Sequence, residues 1–370
     1  MDKILYVSTI SNTIESFMVP HINMLLDQGY KIDIACNEKK NRELNKELKE
    51  KGVKFFQIDF QRQIFNLKNY KAYKDIKSLI KRNDYDIVHT HTPIASAITR
   101  LACKNLKDVK IMYTAHGFHF FKGGSLKNWI FFPVEYWLSK YTDMIITINK
   151  EDYNLANNYF KSRYIEFTHG VGFEVDKFTK TRADKNKILK KLNIPSKSFI
   201  ILSVGLLEDR KNHETIIRAI KQLEDEEVYY LIAGEGHLKN KLNNLLKKLN
   251  LSKQVRLLGF RDDIPELCQI SDLFAFPSKR EGLGIAALEA MASGLPVLTS
   301  NVQGIKDYSI DGKTGFTYKY DDVAGFADGI KKIKNDKKLR ERLKNNALKS
   351  VQKYDISNAL QELKKLYEII

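Results

Sequence analysis

Short apolar, β-branched runs alternate with amphipathic segments along almost the whole chain, and that rhythm restricts the fold more than any other feature. KILYVST, KIDIACN, KFFQID, DIVHTHT, KIMYTAHG and MIITIN read as strands in the first half. Between them lie helical stretches such as ESFMVPHINMLLDQG and YKAYKDIKSLIKRN. Buried strands separated by helices imply a parallel sheet covered on both faces. The rhythm restarts at SFIILSVG (198–205) and continues through VYYLIAG, VRLLGF, LFAFPS and PVLTS. A chain of 370 residues exceeds one ordinary core. The expectation is therefore α/β: two tandem, doubly wound, Rossmann-like domains, 1–180 and 190–352, facing a cleft. The join is expected within 176–196, where strand signals vanish and charges cluster. ISNALQELKKLYEII reads as a C-terminal amphipathic helix.

Composition narrows the classes further. No apolar run reaches eighteen residues, so no membrane-spanning helix is expected, and the N-terminal stretch reads as a strand without a secretory core. Three scattered cysteines suit a reducing cytoplasm better than a disulfide framework or a zinc site. The formal charge is +17, spread over both halves. Such a field favours phosphates, nucleic acid or an acidic membrane, although a simple lysine bias explains it equally well. No nucleic-acid module accompanies the charge, so nucleic acid is not expected as a partner.

In a doubly wound sheet, ligands bind beyond the carboxyl ends of the strands, so reactive residues belong there. SKREGLGIAALEAMASGLPVLTS (278–300) supplies a strand end, a loop and a helix. Gly282 and Gly284 let backbone approach a ligand, and the following helix offers free N–H groups to a phosphate. Glu281 in the loop can accept hydrogen bonds from sugar hydroxyls, and Glu289, over a turn into the helix, can reach a ribose. The same pattern also reads as an ordinary strand–helix junction with surface glutamates. In SVGLLEDRKNHET (203–215), Gly205 ends a strand, and Arg210 and Lys211 follow as cations suited to a pyrophosphate, or as a solvated turn. His116, closing KIMYTAHG, can hydrogen-bond a reacting sugar or move a proton near neutral pH; a packed histidine is the alternative. His89 and His91 are read as facing opposite sides of their strand, structural or cleft-lining. No metal constellation is evident, and neither metal nor other cofactor is expected. The aromatic and lysine-rich stretch 118–141 suits either a membrane interface or a buried helix.

The spacing Glu281-x7-Glu289, with EGLG and EAMASGLPV, resembles the signature of glycosyltransferase family 4, retaining enzymes of the GT-B fold. SVG…K, AGEG, LLGF, FPS and DGKTGF (311–316) fall in that family's order, and REGLG with SNVQGIKDY (300–308) resembles its capsule and exopolysaccharide members. The resemblance implies that Glu281 holds donor-sugar hydroxyls, helped by N–H groups of Gly282, Leu283 and Gly284. It further implies that Glu289 binds the ribose, Lys211 neutralises the diphosphate, Phe260 and Arg261 flank the base, and His116 contacts the donor sugar. The C-terminal helix 355–370 would cross back onto the first domain. Two departures stand out. Leu206 occupies a position where members usually carry arginine, with Arg210 as a candidate replacement. STISNTIES replaces a glycine-rich loop, leaving Asn12, Thr13 and Glu15 to contact acceptor or donor.

The expected reaction is hexose or N-acetylhexosamine transfer from a UDP-sugar, with retention and without metal. The expected acceptor is a saccharide on a polyprenyl diphosphate, and the expected location is cytoplasmic, peripheral to the inner membrane face. A nucleotide-sugar 2-epimerase of the same fold and a non-catalytic nucleotide-sugar-binding partner are the alternatives.

Overall fold

The structure is a computed structural model and describes residues 2–38, 46–63, 66–106 and 108–370. It divides into two units, one of Met1–Gly172 with Ser357–Ile370 and one of Phe173–Ile356.

Among the described residues the first unit is built on seven strands: β1 (Lys3–Ile10), β2 (Lys31–Asn37), β3 (Lys54–Gln57), β4 (Ile87–His91), β5 (Lys110–Ala115), β6 (Met144–Thr147) and β7 (Tyr164–Phe167). They lie in the order β3-β2-β1-β4-β5-β6-β7, and every pairing is parallel. Ile4 of β1 pairs with Ile32 on one side and Ile87 on the other. β1 is buried on both faces, which explains its nearly unbroken apolar sequence. Leu5, Val7, Val88, Ala95 and Ile76 pack into one side of the core. Strand order reverses between β1 and β4, opening a crevice at their carboxyl ends.

The second unit repeats the plan with β8 (Phe199–Val204), β9 (Val228–Ala233), β10 (Val255–Gly259), β11 (Leu273–Phe276), β12 (Val297–Ser300) and β13 (Gly315–Tyr318). Their order is β10-β9-β8-β11-β12-β13, with the reversal between β8 and β11. Ile201 pairs with Leu273 and Leu202 with Phe274 across that seam. Ile201, Ile216, Ile220 and Tyr230 are fully or almost fully buried in its core. Truncating one such side chain, as in Ile201→Ala, costs about 2–5 kcal/mol.

The sequence places a join within 176–196, and the structure corrects this. The units part between Gly172 and Phe173. The charged segment folds as helices Val175–Lys180 and Lys185–Lys191 within the second unit. Phe178 and Leu189 are buried, and Lys185 reaches Asp272 at 3.1 Å. One buried residue per helical turn is a weak signal among so many charges, and it reads as a linker. The C-terminal helix Ile356–Ile369 runs into the first unit from Ser357. Its Tyr367 hydroxyl lies 2.7 Å from His89 Nδ1, and Glu362 accepts from the His169 backbone N–H at 2.8 Å.

Candidate functional site

In the second unit the loops after β8 and β11 meet at the strand-order reversal. The Lys279 N–H donates to the Arg210 carbonyl at 2.8 Å. Asn212, held in a left-handed conformation (φ 57°), donates its side-chain amide to Pro277 O at 3.0 Å and Tyr320 O at 2.7 Å. These bonds fix the two loops to each other. Gly284 (φ 86°) has no room for a side chain: a Cβ would lie 2.7 Å from the Phe276 ring and 2.9 Å from both Glu281 Cγ and the Tyr308 hydroxyl. The helix Ile285–Ala292 starts directly after it and stops where Gly294 takes φ 82°, before Pro296.

Glu281 is the centre of this junction. Lys211 Nζ donates to its Oε2 at 2.8 Å, and Arg210 donates to the same oxygen at 2.9 Å. The Glu281 and Lys211 side chains retain only 13% and 11% exposure. Burial alone would push the Glu281 carboxyl up, but Lys211 and Arg210 together hold it below the ordinary glutamate range. The ammonium of Lys211 also sits 4.7 Å from the Phe276 ring centre. Oε1 of Glu281 and the N–H groups of Leu283 and Gly284 bond to no protein atom among the described residues. An acceptor oxygen and two donors are thus available beside two cations. That combination can hold a hydroxylated group and an anionic one side by side.

Glu289 lies half-buried in the helix that begins after Gly284, and burial raises its carboxyl to about 7, with Lys177 opposing the shift. Gly205 (φ 155°) ends β8 beside Lys211, where an added Cβ would meet Cε at 3.1 Å. Phe260 is 71% exposed just past β10, and Arg261 pairs with Asp263, its Nε at 2.7 Å. Leu206 is exposed. Arg210 is shared between Glu281 and Glu208, the latter at 2.9 Å, so its guanidinium already has two carboxylate partners. Asn212 and Tyr308 escaped the sequence reading. An asparagine before a helix reads as an ordinary cap, and nothing local marks a tyrosine twenty-four residues after the glycine it abuts.

In the first unit His116 follows β5, half-buried, with Nε2 3.2 Å from His91 Nδ1. Burial, reinforced by His21, lowers it to about 4, so it is neutral at pH 7. A neutral imidazole suits a hydrogen bond to a sugar better than proton transfer, which corrects the near-neutral titration read from sequence. The placement of His89 and His91 on opposite faces is also corrected. Residues two apart on a strand share a face, and the two rings lie 4.3 Å apart. His89 is tied to Tyr367 and to Thr114, the latter at 2.8 Å, and burial lowers it to about 3. Among the described residues no cluster of three or more histidine, cysteine, aspartate or glutamate side chains is arranged to hold a metal ion. Asn12 is exposed, Thr13 and Glu15 are half-buried, and all three directly follow β1. Thr13 lines a pocket at that strand end.

Two parallel, doubly wound sheets, each with its crevice at the strand-order reversal, have the GT-B fold. The match is close in solved structures: HepE of Anabaena, in complex with UDP and glucose, superposes with a TM-score of 0.82 over 100% of both chains, at 17% identity. Residues 184–350 match the model of "Glycosyl transferases group 1", and residues 3–149 match "Glycosyl transferase 4-like". The putative glycosyltransferase EpsD of Bacillus subtilis is 32% identical, over 99% of this chain and 96% of its own. The UDP-Gal:α-D-GlcNAc-diphosphoundecaprenol α-1,3-galactosyltransferase of Escherichia coli is 28% identical, over 96% and 93%. The chain belongs to this glycosyltransferase family, and it is a transferase rather than an epimerase or a non-catalytic binder.

Proposed function

We propose that the protein transfers a hexose or N-acetylhexosamine from a UDP-sugar, with retained anomeric configuration, to a saccharide borne on a polyprenyl diphosphate during bacterial surface polysaccharide synthesis. The observation that carries this reading is the Glu281 carboxylate, held ionised by Lys211 and Arg210 beside the free N–H groups of Leu283 and Gly284. Lys211 takes the diphosphate of the donor, and Glu281 Oε1 accepts from a sugar hydroxyl. Glu289 takes the ribose, Phe260 and Arg261 flank the base, and His116 donates a hydrogen bond to the sugar. Two similarities support the substrates: the Escherichia coli relative is named for a diphosphoundecaprenol-linked acceptor, and HepE was solved with UDP.

In the reaction the acceptor hydroxyl oxygen bonds to the anomeric carbon as the bond from that carbon to the β-phosphate oxygen breaks. The electron pair leaves with the phosphate, which also receives the hydroxyl proton. Charge grows on the diphosphate, where Lys211, Arg210 and the N–H groups after Glu281 stabilise it without a metal. Attack and departure on one face preserve the anomeric configuration.

The protein works in the cytoplasm, at the inner face of the membrane. No helix among the described residues is long and apolar enough to span it. Part of the aromatic stretch is core: Phe118, Phe120, Phe131 and Phe132 pack together. Yet Leu126, Ile130, Val134 and Trp137, spread over the helices Leu126–Trp129 and Phe132–Ser139 and the turn between them, remain exposed in a stretch that also exposes Lys122, Lys127 and Lys140. Apolar side chains in a stretch with exposed lysines suit an anionic leaflet.

Incubating the protein with UDP-, GDP- and ADP-sugars and a polyprenyl-diphosphate disaccharide tests the proposal. An extended lipid-linked product with an α-linked sugar from an α-donor is expected from a UDP-sugar. Inversion, or transfer from only a GDP- or ADP-sugar, contradicts it.

A further inference from the structure

We propose that the first unit holds its acceptor as a divided amphiphile, with the isoprenoid in one pocket, the saccharide in a second, and Arg62 on the diphosphate between them. This rests on the transferase reading above. The first pocket, of about 430 Å³, is walled by Ile10, Ile94, Ala97, Phe118, Phe120 and Phe131. The second, of about 490 Å³, is bordered by Phe60, Gln61, Arg62, Gln63 and Asn66. Thr9, Ile10 and Arg62 belong to both, so the two spaces adjoin. The first is lined mainly by hydrocarbon, with Glu135 and His119 at its wall, and the second by the amides of Gln61, Gln63 and Asn66 together with Ile10 and Phe60.

The position is that of a ligand site. Both pockets open where β1 ends, and the first also borders the turn after β4, at the reversal of strand order. Thr92 in that turn holds φ 67°, a conformation costly for a β-branched residue. It is locked by bonds to the Thr9 N–H at 3.0 Å and the Thr9 hydroxyl at 2.7 Å. Thr9, which both pockets share, is thereby braced from the β4 side. Arg62 makes no ion pair or side-chain hydrogen bond among the described residues, so its guanidinium is available to an anion. Arg100 pairs with Glu135 at 2.7 Å and stacks on the Tyr113 ring but lines neither pocket, leaving Arg62 as the cation that both pockets share.

A water-soluble acceptor would leave the aromatic pocket filled with poorly bonded water. An isoprenoid diphosphate saccharide matches all three surfaces at once: hydrocarbon, cation and amides. Val134, exposed at the surface, also lines the apolar pocket. The lipid can thus enter from that surface.

Binding of farnesyl diphosphate, farnesol and inorganic pyrophosphate is measured by calorimetry on the full chain, followed by acceptor kinetics with the saccharide on a polyprenyl diphosphate and on a methyl aglycone. Farnesyl diphosphate is expected to bind at least about tenfold tighter than pyrophosphate. Ala97→Phe fills the apolar pocket and should raise KM for the polyprenyl acceptor at least about tenfold more than for the methyl glycoside. Arg62→Ala should weaken farnesyl diphosphate but not farnesol, with Arg62→Lys partly restoring it. Equal binding of farnesyl diphosphate and pyrophosphate, or an unchanged polyprenyl KM in Ala97→Phe, overturns the proposal even where transfer is observed. Farnesyl diphosphate binding that Ala97→Phe abolishes, without transfer from any UDP-sugar, supports the pocket and contradicts the transfer reading instead.

Discussion

Replacing Glu289 with glutamine should stabilise the protein at alkaline pH while weakening its grip on the donor. The carboxyl titrates at about 7 in the folded chain against an ordinary value of 4.5, because burial penalises its charge. A group whose folded pKa lies above the unfolded one binds protons on folding. Its contribution is intact below pH 4.5 and is lost as pH rises through 7. Above both values that loss amounts to about 3 kcal/mol. Glutamine, isosteric with the protonated form, escapes it. In a unit of this size, wild type and Glu289→Gln should unfold at similar temperatures at pH 4.5. At pH 8 they should differ by about 6–12 °C, the variant higher. Thermal unfolding at half-unit pH steps measures this. Donor KM at pH 8 should rise about ten- to a hundredfold in the same variant, through loss of hydrogen bonds to a charged acceptor. A melting difference independent of pH, or a variant less stable at pH 8, refutes the reasoning.

Glu281→Ala should lower kcat by about a hundred- to a thousandfold with the far-ultraviolet dichroism unchanged; turnover within tenfold of wild type removes Glu281 from its role. Lys211→Ala strips one cation from a nearly buried carboxylate and should cost about 3 kcal/mol in denaturant unfolding. The same change should move the acid limb of the pH–rate profile upward, because the Glu281 carboxyl loses a partner that holds it low; an unmoved limb counts against the pairing. Gly284→Ala should reduce turnover at least about tenfold and destabilise by about 2 kcal/mol, since φ 86° and the contacts at 2.7–2.9 Å leave no place for a methyl group. The protein should sediment with vesicles containing anionic lipid at low salt, and Ile130→Glu with Trp137→Glu should release it; indifference to lipid charge contradicts the surface assigned.

Much of the fold was legible because central parallel strands are buried on both faces and read as apolar runs. β7 and β13 were not, since YIEF and GFTY are half-buried edge strands whose polar positions break the run. The spacing of Glu281 and Glu289 was legible because both lie in one strand–loop–helix unit. That Arg210 and Lys211 converge on the Glu281 carboxylate was not, because about seventy residues separate them and they are joined through the β8–β11 pairing and the bonds between the following loops. Arg62 and Thr92 carry no local motif; they border one pocket because β3 and β4, which they follow, end on the same edge of a parallel sheet. The histidine pair shows a different failure, since the two-residue period of a strand already puts both rings on one face.

A crystal structure of the chain with a UDP-hexose tests the central claim most directly. The account predicts the diphosphate within 3.2 Å or so of Lys211 Nζ, beyond the carboxyl ends of β8 and β11, with the hexose on Glu281 and the ribose on Glu289. A nucleotide bound elsewhere, with the Lys211–Glu281 pair undisturbed and remote from it, would contradict the account.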